Sequence, residues 1–398
     1  LMVSTMPDMQ ALGRATRAFF EPNVQINDEI RTLAQQLVEG VPSERGKVRA
    51  IYNWVARNIR YVAVSLGDGR LVPHPATQVL QNRYGDCKDH VVLLEALLAA
   101  VGIESSPAMI NSGNSYLFSR IGIHQPINHV ITYIPSMDLY LDSTDPFASF
   151  GTLPLSVMDK PVVLTALDKL GRTPRMNAKE NTNRTEVTMT IRPDGTIDGA
   201  SYSRMTGDFE NESRNSRFAG LSRPKEEIVK ELLFRFNENG TGSLSFPDPT
   251  DITRPYWVRA NFTLEPIVNM PGRGGMPIPV GLAPGAIAWA GSVTPKPEPA
   301  YPTRCRSRRI EERYVLRFPA SVTIEAIPEG TRFRRGDIRY ESRYERSGQV
   351  VTVNKTLHIQ RASNVCGIEQ SREWWAFYKA LRHDLRSQIL FSPKQALN

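Results

Sequence analysis

A cysteine placed directly ahead of an apolar helical stretch is the feature that most constrains the fold of this chain. Cys87 lies within residues 83–90, which read Arg-Tyr-Gly-Asp-Cys-Lys-Asp-His. Asp86 is a good helix N-cap, and Gly102 is suited to a helix C-terminus. Between them, apolar residues recur at helical spacing, at Val91, Leu94, Leu98 and Val101. The cysteine is therefore predicted to begin a buried helix.

Two short β-rich runs follow the predicted helix, and each is flanked by a polar residue. His129 precedes the run 130–133, and Asp142 follows the run 139–141. The residues between the runs, Pro135 to Asp138, have the composition of a turn. Because side chains alternate between the two faces of a strand, an even-numbered loop puts His129 and Asp142 on one face. An odd-numbered loop would separate them.

A thiol, an imidazole and a carboxylate in this order can carry out nucleophilic acyl transfer. The helix N-terminus favours a thiolate, and an imidazole can accept the thiol proton. A carboxylate then orients the imidazole and stabilises its cation. Each residue alone has an ordinary structural explanation, such as a buried cysteine or a turn aspartate. Their combination favours Cys87 as nucleophile, His129 as acid and base, and Asp142 as the orienting carboxylate.

The remaining groups of such a site are less clearly marked in the sequence. The backbone N–H of Cys87 can donate to an oxyanion, and the second donor is predicted to be either Gln81 or Tyr61. His90 is expected to point back along the helix, and His124 lies in a loop ahead of the strand. No pair of histidines or cysteines has metal-ligand spacing, so we expect no metal and no cofactor.

The rest of the chain has a different composition. Residues 160–179 are polar with few aromatics, which indicates a domain boundary. Beyond it alternating strands predominate, with helices predicted from about Pro224 to Phe236 and from about Ser371 to Leu385. The Pro- and Gly-rich tract from Pro266 to Pro302 has no steady period and is predicted to be mostly loop.

The overall class is therefore predicted to be α+β in two domains. A mixed core is expected over residues 26–160, followed over 180–398 by a mostly antiparallel, β-sandwich-like domain with two helices. No apolar run approaches the ~18 residues that a membrane-spanning helix needs, so we expect no membrane span.

The chain is basic, with a net charge of +8 and a pI near 9.4. Its densest basic group comprises Arg304, Arg306, Arg308 and Arg309. Acidic residues follow at once and no aromatic stacking platform is interleaved, which favours a solvated strand over nucleic-acid binding. An anionic partner, such as an envelope polymer, stays open.

Three cysteines are too few for a disulfide scaffold. If Cys305 and Cys366 pair, Cys87 is left as a single free thiol, as in a secreted cysteine enzyme. If they do not pair, the same sequence suits a reducing compartment.

The sequence resembles the transglutaminase-like superfamily, whose core is related to the papain fold. The resemblance covers about residues 27–155. It is carried by Tyr-Asn-Trp-Val at 52–55, Asn-Ile-Arg-Tyr at 58–61, Tyr-Gly-Asp-Cys-Lys-Asp at 84–89, Asn-His-Val at 128–130 and Leu-Asp-Ser-Thr at 141–144. The order of cysteine, histidine and aspartate is that of the family, which implies catalytic roles for Cys87, His129 and Asp142.

More narrowly, the chain is similar to bacterial exported proteins in which this core lies between two β domains. The resemblance implies that residues 1–25 are a linker from a missing N-terminal domain, and that the protein is exported to the periplasm. It implies a peptidase or amidase first and a crosslinking transamidase second, with a peptide or protein as substrate. The alternative is a catalytically silent module that binds a peptide or an envelope polymer.

Overall fold

The protein is described by a computed structural model that covers residues 4–63, 71–270, 272–296 and 298–394. The chain forms two compact units. The first comprises Leu1–Arg175 and the short segment Thr250–Arg254, and the second comprises Met176–Pro249 and Pro255–Asn398. The change after Arg175 falls within the polar stretch at 160–179 where the composition indicates a boundary.

The first unit combines five helices with short strands in its described part. The helices are α1 (Met9–Phe20), α2 (Asp28–Val38), α3 (Glu44–Asn58), α4 (Ala76–Asn82) and α5 (Cys87–Ala99). The strands are β1 (Arg60–Tyr61), β2 (Tyr84–Gly85), β3 (Ser106–Ile110), β4 (His129–Ile134), β5 (Leu139–Leu141), β6 (Pro161–Leu164) and β7 (Lys169–Arg172).

Side-chain caps fix where these helices begin. Asn27 accepts a hydrogen bond from the N–H of Ile30 at the start of α2, and Ser43 accepts one from Gly46 at the start of α3. At the end of α5 the chain turns through Gly102, whose φ of +76° is in the region that glycine adopts without strain. These boundaries follow from the polar and glycine residues that the sequence places there.

The core of the first unit is built around α5. All residues from Asp89 to Leu98 are buried, which is the pattern of a helix covered on every side. Helices α2, α3 and α4 pack against it, and β4 contacts it from the sheet. That sheet has the order β5-β4-β3-β6-β7, with every neighbouring pair antiparallel. The apolar interior therefore surrounds the helix that Cys87 begins.

Two parts of the first unit differ from the sequence prediction. Strands β6 and β7 occupy the polar stretch predicted as a boundary, where they pair with each other and extend the sheet. Residues 1–25, predicted as a linker, contain the helix α1, whose Met9 and Leu12 pack with Met109 and Val163. The helix is packed because it buries an apolar face on the sheet.

The second unit is rich in strands. They are β8 (Thr182–Ile191), β9 (Ile197–Met205), β10 (Gly240–Ser245), β11 (Tyr256–Leu264), β12 (Gly274–Pro277), β13 (Thr303–Arg304), β14 (Arg308–Arg317), β15 (Val322–Ala326), β16 (Thr331–Arg335), β17 (Ile338–Ser347), β18 (Val350–Ile359), β19 (Val365–Cys366) and β20 (Gln388–Pro393).

These strands form one large sheet and smaller ones. The large sheet has the order β10-β11-β9-β8-β14-β18-β17-β16, and a smaller sheet has the order β12-β20-β15. Neighbours in the large sheet are antiparallel except β14 and β8, which run parallel. The chain is thus a mixed helix-and-sheet protein with a sheet-rich second unit, and the predicted fold class is confirmed.

The second unit also has more helices than the two predicted. Helices α7 (Lys225–Phe234) and α9 (Ile368–Leu385) lie where the sequence indicates them. Two more are α6 (Asp208–Gly220) and α8 (Ala286–Ser292). The first is too polar to show a clear apolar stripe, and the second is a short helix inside the Pro- and Gly-rich tract. Cys305 and Cys366 are joined by a disulfide next to the paired strands β13 and β19.

Among the described residues, no helix combines the length and the apolar character needed to cross a membrane.

Candidate active site

Cys87 is the first residue of α5, and the local sequence holds it there. The Asp86 carboxylate accepts hydrogen bonds from the N–H groups of Lys88 and Asp89, and the Asp89 carboxylate accepts one from the N–H of Asp86. This reciprocal capping box fixes the first turn of the helix. The Lys88 ammonium also lies 2.5 Å from Asp86 Oδ2. Cys87 itself is half-buried and faces a cavity of about 310 Å³.

Asp89 anchors the polypeptide on both sides of the cysteine. Its carboxylate accepts a hydrogen bond of 2.8 Å from the N–H of His74 and lies 3.2 Å from the His74 ring. Gly85 leaves room for this carboxylate, because a Cβ on Gly85 would lie 2.5 Å from Asp89 Cβ. The glycine and the second aspartate of the Gly-Asp-Cys-Lys-Asp run are therefore needed by the packing around Cys87.

Tyr61 reaches the same place by strand pairing. In the parallel pair β1–β2, Tyr61 lies opposite Gly85, and the N–H of Val62 donates to the carbonyl of Gly85 over 2.8 Å. Tyr61 lines the cavity beside Cys87. Burial, and then the charges of Cys87, Asp86 and Asp142, raise the pKa of Tyr61 to about 12. Its hydroxyl therefore keeps its proton at neutral pH.

The hairpin of β4 and β5 brings His129 and Asp142 together. Thr132 pairs with Leu141 and Ile134 with Leu139, so the loop contains four residues and the register is the even-numbered one. His129 Nε2 lies 2.9 Å from Asp142 Oδ2, and both side chains are buried. The two residues share one face of the hairpin, as the alternation of strand side chains requires.

Hydrogen bonds hold both the carboxylate and the backbone of Asp142. Its Oδ1 accepts from both the N–H and the hydroxyl of Thr144, at 3.1 and 2.6 Å. The buried hydroxyl of Tyr52 donates to the backbone carbonyl of Asp142 over 3.2 Å and to that of Ala148 over 2.9 Å. This support leaves Oδ2 directed at His129. Burial raises the pKa of Asp142, but the interaction with His129 and the Thr144 hydrogen bonds lower it more.

His129 lies between Asp142 and Cys87. Burial lowers the pKa of His129, but the charge of Asp142 and hydrogen bonds to Asp142 and Cys87 outweigh it, and the pKa rises to about 10. The imidazole is therefore a cation at neutral pH. Since Nε2 is used by Asp142, Nδ1 is the ring nitrogen that remains for the thiol.

A second histidine, His90, is buried near His129, and the sequence does not predict that it is buried there. His90 is buried on α5, where its Nδ1 lies 3.4 Å from the hydroxyl of Ser143. Its ring is 6.1 Å from that of Tyr61. Burial lowers the pKa of His90 to about 4, so the ring is neutral and adds no charge that competes with His129. The spacing from Cys87 was visible in the sequence, but this depth was not.

Of the site residues predicted from the sequence, several line the cavity over Cys87 and Gln81 does not. Cys87, His129 and Tyr61 all line it. Gln81 lies on α4, is exposed, and is not among the lining residues. His124, which the sequence left in a preceding loop, lines the cavity as well. The other lining residues are a mixture of polar and apolar ones, and they include Thr16 and Phe20 of α1, Leu71, Met109 and Ile127.

The N-terminal helix thus contributes to the site although the sequence predicts a linker there. Thr16 and Phe20 are four positions apart and therefore lie on one face of α1. That spacing was the available signal. Within the described ranges, no group of three or more His, Cys, Asp or Glu residues is arranged to hold a metal ion.

Comparison with known proteins bears on the fold of the chain. Residues 31–125, which include Cys87, match the model of the transglutaminase-like superfamily. A crystal structure of a candidate protease from Parabacteroides distasonis superposes with a TM-score of 0.58 at 13% identity. The match covers 98% of this chain and 59% of that one, so this chain spans less than two thirds of that protein.

A second solved structure, a candidate cysteine protease from Cytophaga hutchinsonii, is 22% identical over 31% of this chain and 42% of its own. Its TM-score is 0.23, which is too low to bear on the fold. No protein of curated function matches the sequence. The first unit thus contains a segment, residues 31–125, that is similar to the transglutaminase-like superfamily, and the Parabacteroides structure has a similar fold.

Proposed function

We propose that this protein is a cysteine-dependent amidase or peptidase in which Cys87 attacks the carbonyl carbon of an amide. A carbon–sulfur bond forms, the carbonyl oxygen becomes an oxyanion, and the carbon–nitrogen bond then breaks. The product amine leaves and a thioester remains on Cys87. Water resolves the thioester in hydrolysis, and a second amine resolves it in transamidation.

His129 supplies and removes the protons in these steps. As a cation beside Cys87 it stabilises the thiolate, and it gives its Nδ1 proton to the departing amine. The ring is then neutral, so it can take a proton from the water or amine that attacks the thioester. Asp142 remains a carboxylate throughout and keeps the imidazole in place.

The oxyanion is proposed to accept two hydrogen bonds. One comes from the backbone N–H of Cys87, because Asp86 caps the N–H groups of Lys88 and Asp89 instead. The other comes from the hydroxyl of Tyr61, which stays protonated and lines the cavity. Of the two side-chain donors that the sequence offered, Tyr61 is thus the better supported and Gln81 the weaker.

The single observation that carries the proposal is a buried His129 flanked by Asp142 and a cavity-facing Cys87. The disulfide between Cys305 and Cys366 leaves Cys87 as the free thiol of the chain. Because such bonds persist in oxidising compartments, this pairing supports export to the bacterial periplasm. A peptide or protein substrate agrees with a cavity that combines apolar walls with polar side chains able to bind backbone amides.

Alkylation kinetics test the ion pair without knowledge of the substrate. Native protein should react with iodoacetamide at pH 6 about tenfold or more faster than a small free thiol, because the His129 cation beside the sulfur favours the reactive thiolate. His129→Asn should slow the reaction toward the rate of the small free thiol, because it removes the cation. His383→Asn, an exposed histidine on α9, is the matched control and should label like the native protein.

Turnover is measured on peptides identified by mass spectrometry from a peptide library. Cys87→Ala should abolish cleavage while leaving the circular dichroism spectrum unchanged, and added glycine ethyl ester distinguishes transfer from hydrolysis by its incorporation. Cleavage that survives Cys87→Ala would reject the mechanism. A thiol that stays inert at every pH would favour the silent binding module instead.

A further inference from the structure

The second unit contains a cavity of about 610 Å³ that the proposed chemistry does not use. Its walls combine aromatic and basic side chains. The aromatic ones are Phe209, Trp289 and Trp374, and the basic ones are Arg217, Arg306 and Arg308, against one lining carboxylate, Glu212. Arg217, Trp289 and Trp374 come from segments far apart in sequence, so the cavity forms only when the second unit folds.

A neighbouring cavity of about 410 Å³ extends it. The two share Pro295, Arg306, Arg308 and Trp374, so they form one continuous groove. The second cavity is also lined by Lys296, Arg304 and Arg361, and no carboxylate lines it. One wall contains Cys305 and Cys366, whose disulfide holds that wall together. The groove is therefore lined by more basic than acidic side chains, although Arg361 pairs with Asp337 and Glu373.

The arginines of this groove differ in how their charge is balanced. Arg306 is neutralised, because it lies 2.6 Å from Asp208 and 2.5 Å from Glu212. The side chain of Arg308, two residues on, makes no hydrogen bond or ion pair with any residue that the structure describes. Its guanidinium lies 5.4 Å from the centre of the Phe209 ring. Burial, and then the charge of Arg306, lower the pKa of Arg308 to about 10, because they outweigh the charges of Asp208 and Glu212, which raise it.

A second guanidinium with an unpaired donor faces the same cavity from α6. Arg217 Nε is buried and has no hydrogen-bond partner among the described residues. Its guanidinium lies 5.9 Å from the Phe246 ring. A buried donor without a partner is costly, and a bound carboxylate would satisfy it. Arg217 and Arg308 thus present unused donors to one space.

We propose that this groove is a docking site for an acidic peptide segment, with carboxylates bound by Arg308 and Arg217. Arginine pairs with carboxylates through two parallel hydrogen bonds, which makes such clusters selective for acidic motifs. Trp289, Trp374 and Phe209 would contact the apolar side chains between the carboxylates. The site is independent of the chemistry at Cys87.

A peptide fits these observations better than a nucleic acid does. Single-stranded nucleic acids are bound by exposed charges that follow the phosphate backbone and by aromatic rings that stack on successive bases. Here the guanidiniums with unpaired donors lie inside a cavity with room for only a few side chains. The arginine cluster noted in the sequence as a solvated strand therefore has two faces, since Arg309 pairs with Glu311 on the exposed side.

Fluorescence anisotropy of the whole chain with labelled peptides tests the site. The probe is fluoresceinyl Gly-Glu-Leu-Glu-Gly, and its matched partner carries glutamine in place of both glutamates. The acidic peptide should bind, the glutamine peptide should bind about tenfold or more weakly, and added salt should weaken the acidic peptide alone.

Variants locate the binding. Arg308→Gln should weaken the acidic peptide about tenfold or more, and Arg217→Gln, on the other wall, should do so independently. Arg309→Gln removes the same charge from the opposite face of β14 and should bind like the native chain. Melting temperatures show that each variant is folded.

Equal binding of the acidic peptide by native protein and by both variants would overturn the proposal. Tighter binding of a single-stranded oligothymidylate than of the peptide, with loss in Arg308→Gln, would overturn the assignment to peptides. Neither result depends on catalysis, because the same measurements are made on Cys87→Ala protein.

Discussion

His129 uses its two ring nitrogens for two different partners. Nε2 donates to Asp142 over 2.9 Å, and the other side of the ring faces Cys87. The N–H and the hydroxyl of Thr144 donate to Oδ1, the second oxygen of Asp142. Rotation of the carboxylate away from the imidazole would break these hydrogen bonds. Because Asp142 binds Nε2, Nδ1 is the nitrogen that faces the Cys87 sulfur. The chemistry at the sulfur therefore depends on a ring orientation that Asp142 and Thr144 set on the other side of the imidazole.

At the same scale, Tyr61→Phe separates oxyanion stabilisation from thiolate formation. The change removes the hydroxyl and keeps the ring beside His90. Loss of one oxyanion donor should lower kcat by about 10²- to 10³-fold. Alkylation by iodoacetamide forms no oxyanion, so its rate should stay close to the native value. The two measurements are made on the same preparation.

Gln81→Leu is the control for this experiment, because Gln81 is exposed on α4 and does not line the cavity. It should leave kcat unchanged. If Gln81→Leu lowered kcat as much as Tyr61→Phe does, the assignment of the second oxyanion donor would be wrong.

Among the secondary-structure elements, the first turn of α5 is stabilised by capping, by a contact to His74 and by close packing against Gly85. Asp86 caps the helix, Asp89 completes the capping box and binds His74, and Gly85 leaves the space that Asp89 fills. The helix itself is buried along almost its whole length, where each leucine contributes about 1.5–3 kcal/mol by leaving water. The thiol is thus positioned by one of the most rigid parts of the unit.

The element-level prediction concerns the disulfide between Cys305 and Cys366. It closes a loop with a sequence separation of 61 residues. Loop-closure entropy for that length gives a stabilisation of about 4 kcal/mol. The double variant Cys305→Ala/Cys366→Ala should therefore lower the denaturant midpoint of the second unit, as followed by far-UV circular dichroism in urea.

The same variant should leave iodoacetamide labelling of Cys87 unchanged, since that thiol lies in the first unit. Denaturation of native protein with and without reductant is the chemical counterpart of the substitution. An unchanged midpoint in both comparisons would show that the disulfide contributes nothing to stability.

For the whole molecule, pH links the site to the stability of the fold. The folded pKa of His129, about 10, lies above its ordinary value of 6.5, so the folded state binds a proton that the unfolded state releases earlier. This stabilisation is fully present below pH 6.5 and is lost as pH rises toward 10. Asp142 has a lowered pKa, so its contribution is present above about 3.8 and is lost as pH falls further.

Thermal melts across pH should reveal this linkage. Native protein should be more stable than Asp142→Asn by a few degrees near pH 6, and the difference should shrink between pH 7 and 10 as His129 loses its proton. The buffers are matched in ionic strength. A difference between the two proteins that is constant from pH 6 to 10 would show that the ion pair does not contribute as described.

Much of the first unit could be predicted from local residues. Asp86, Ser43 and Gly102 mark helix boundaries because caps and positive-φ turns depend on the residue itself. The four-residue loop predicts which face His129 and Asp142 share, because strand geometry has a period of two. Signals that act over a few residues can be interpreted from the sequence alone.

What could not be predicted depends on distant contacts. Strands β8 and β14 pair in parallel although more than 100 residues separate them, and no local pattern encodes that pairing. Helix α6 is polar along its length, so it gives no periodic apolar signal. The role of α1 as a cavity wall also arises only when Thr16 and Phe20 meet residues near Cys87 and His129.

The segment Thr250–Arg254 belongs to the first unit although the residues on both sides of it belong to the second. This arrangement affects any attempt to express the two units separately. Ile252, within Thr250–Arg254, is buried in the same apolar cluster as the leucines of α5. A recombinant fragment that stops at Arg175 would lack that isoleucine and expose a hydrophobic gap to solvent. Dissection would need to graft the five-residue segment back on, for example through a short glycine-rich tether.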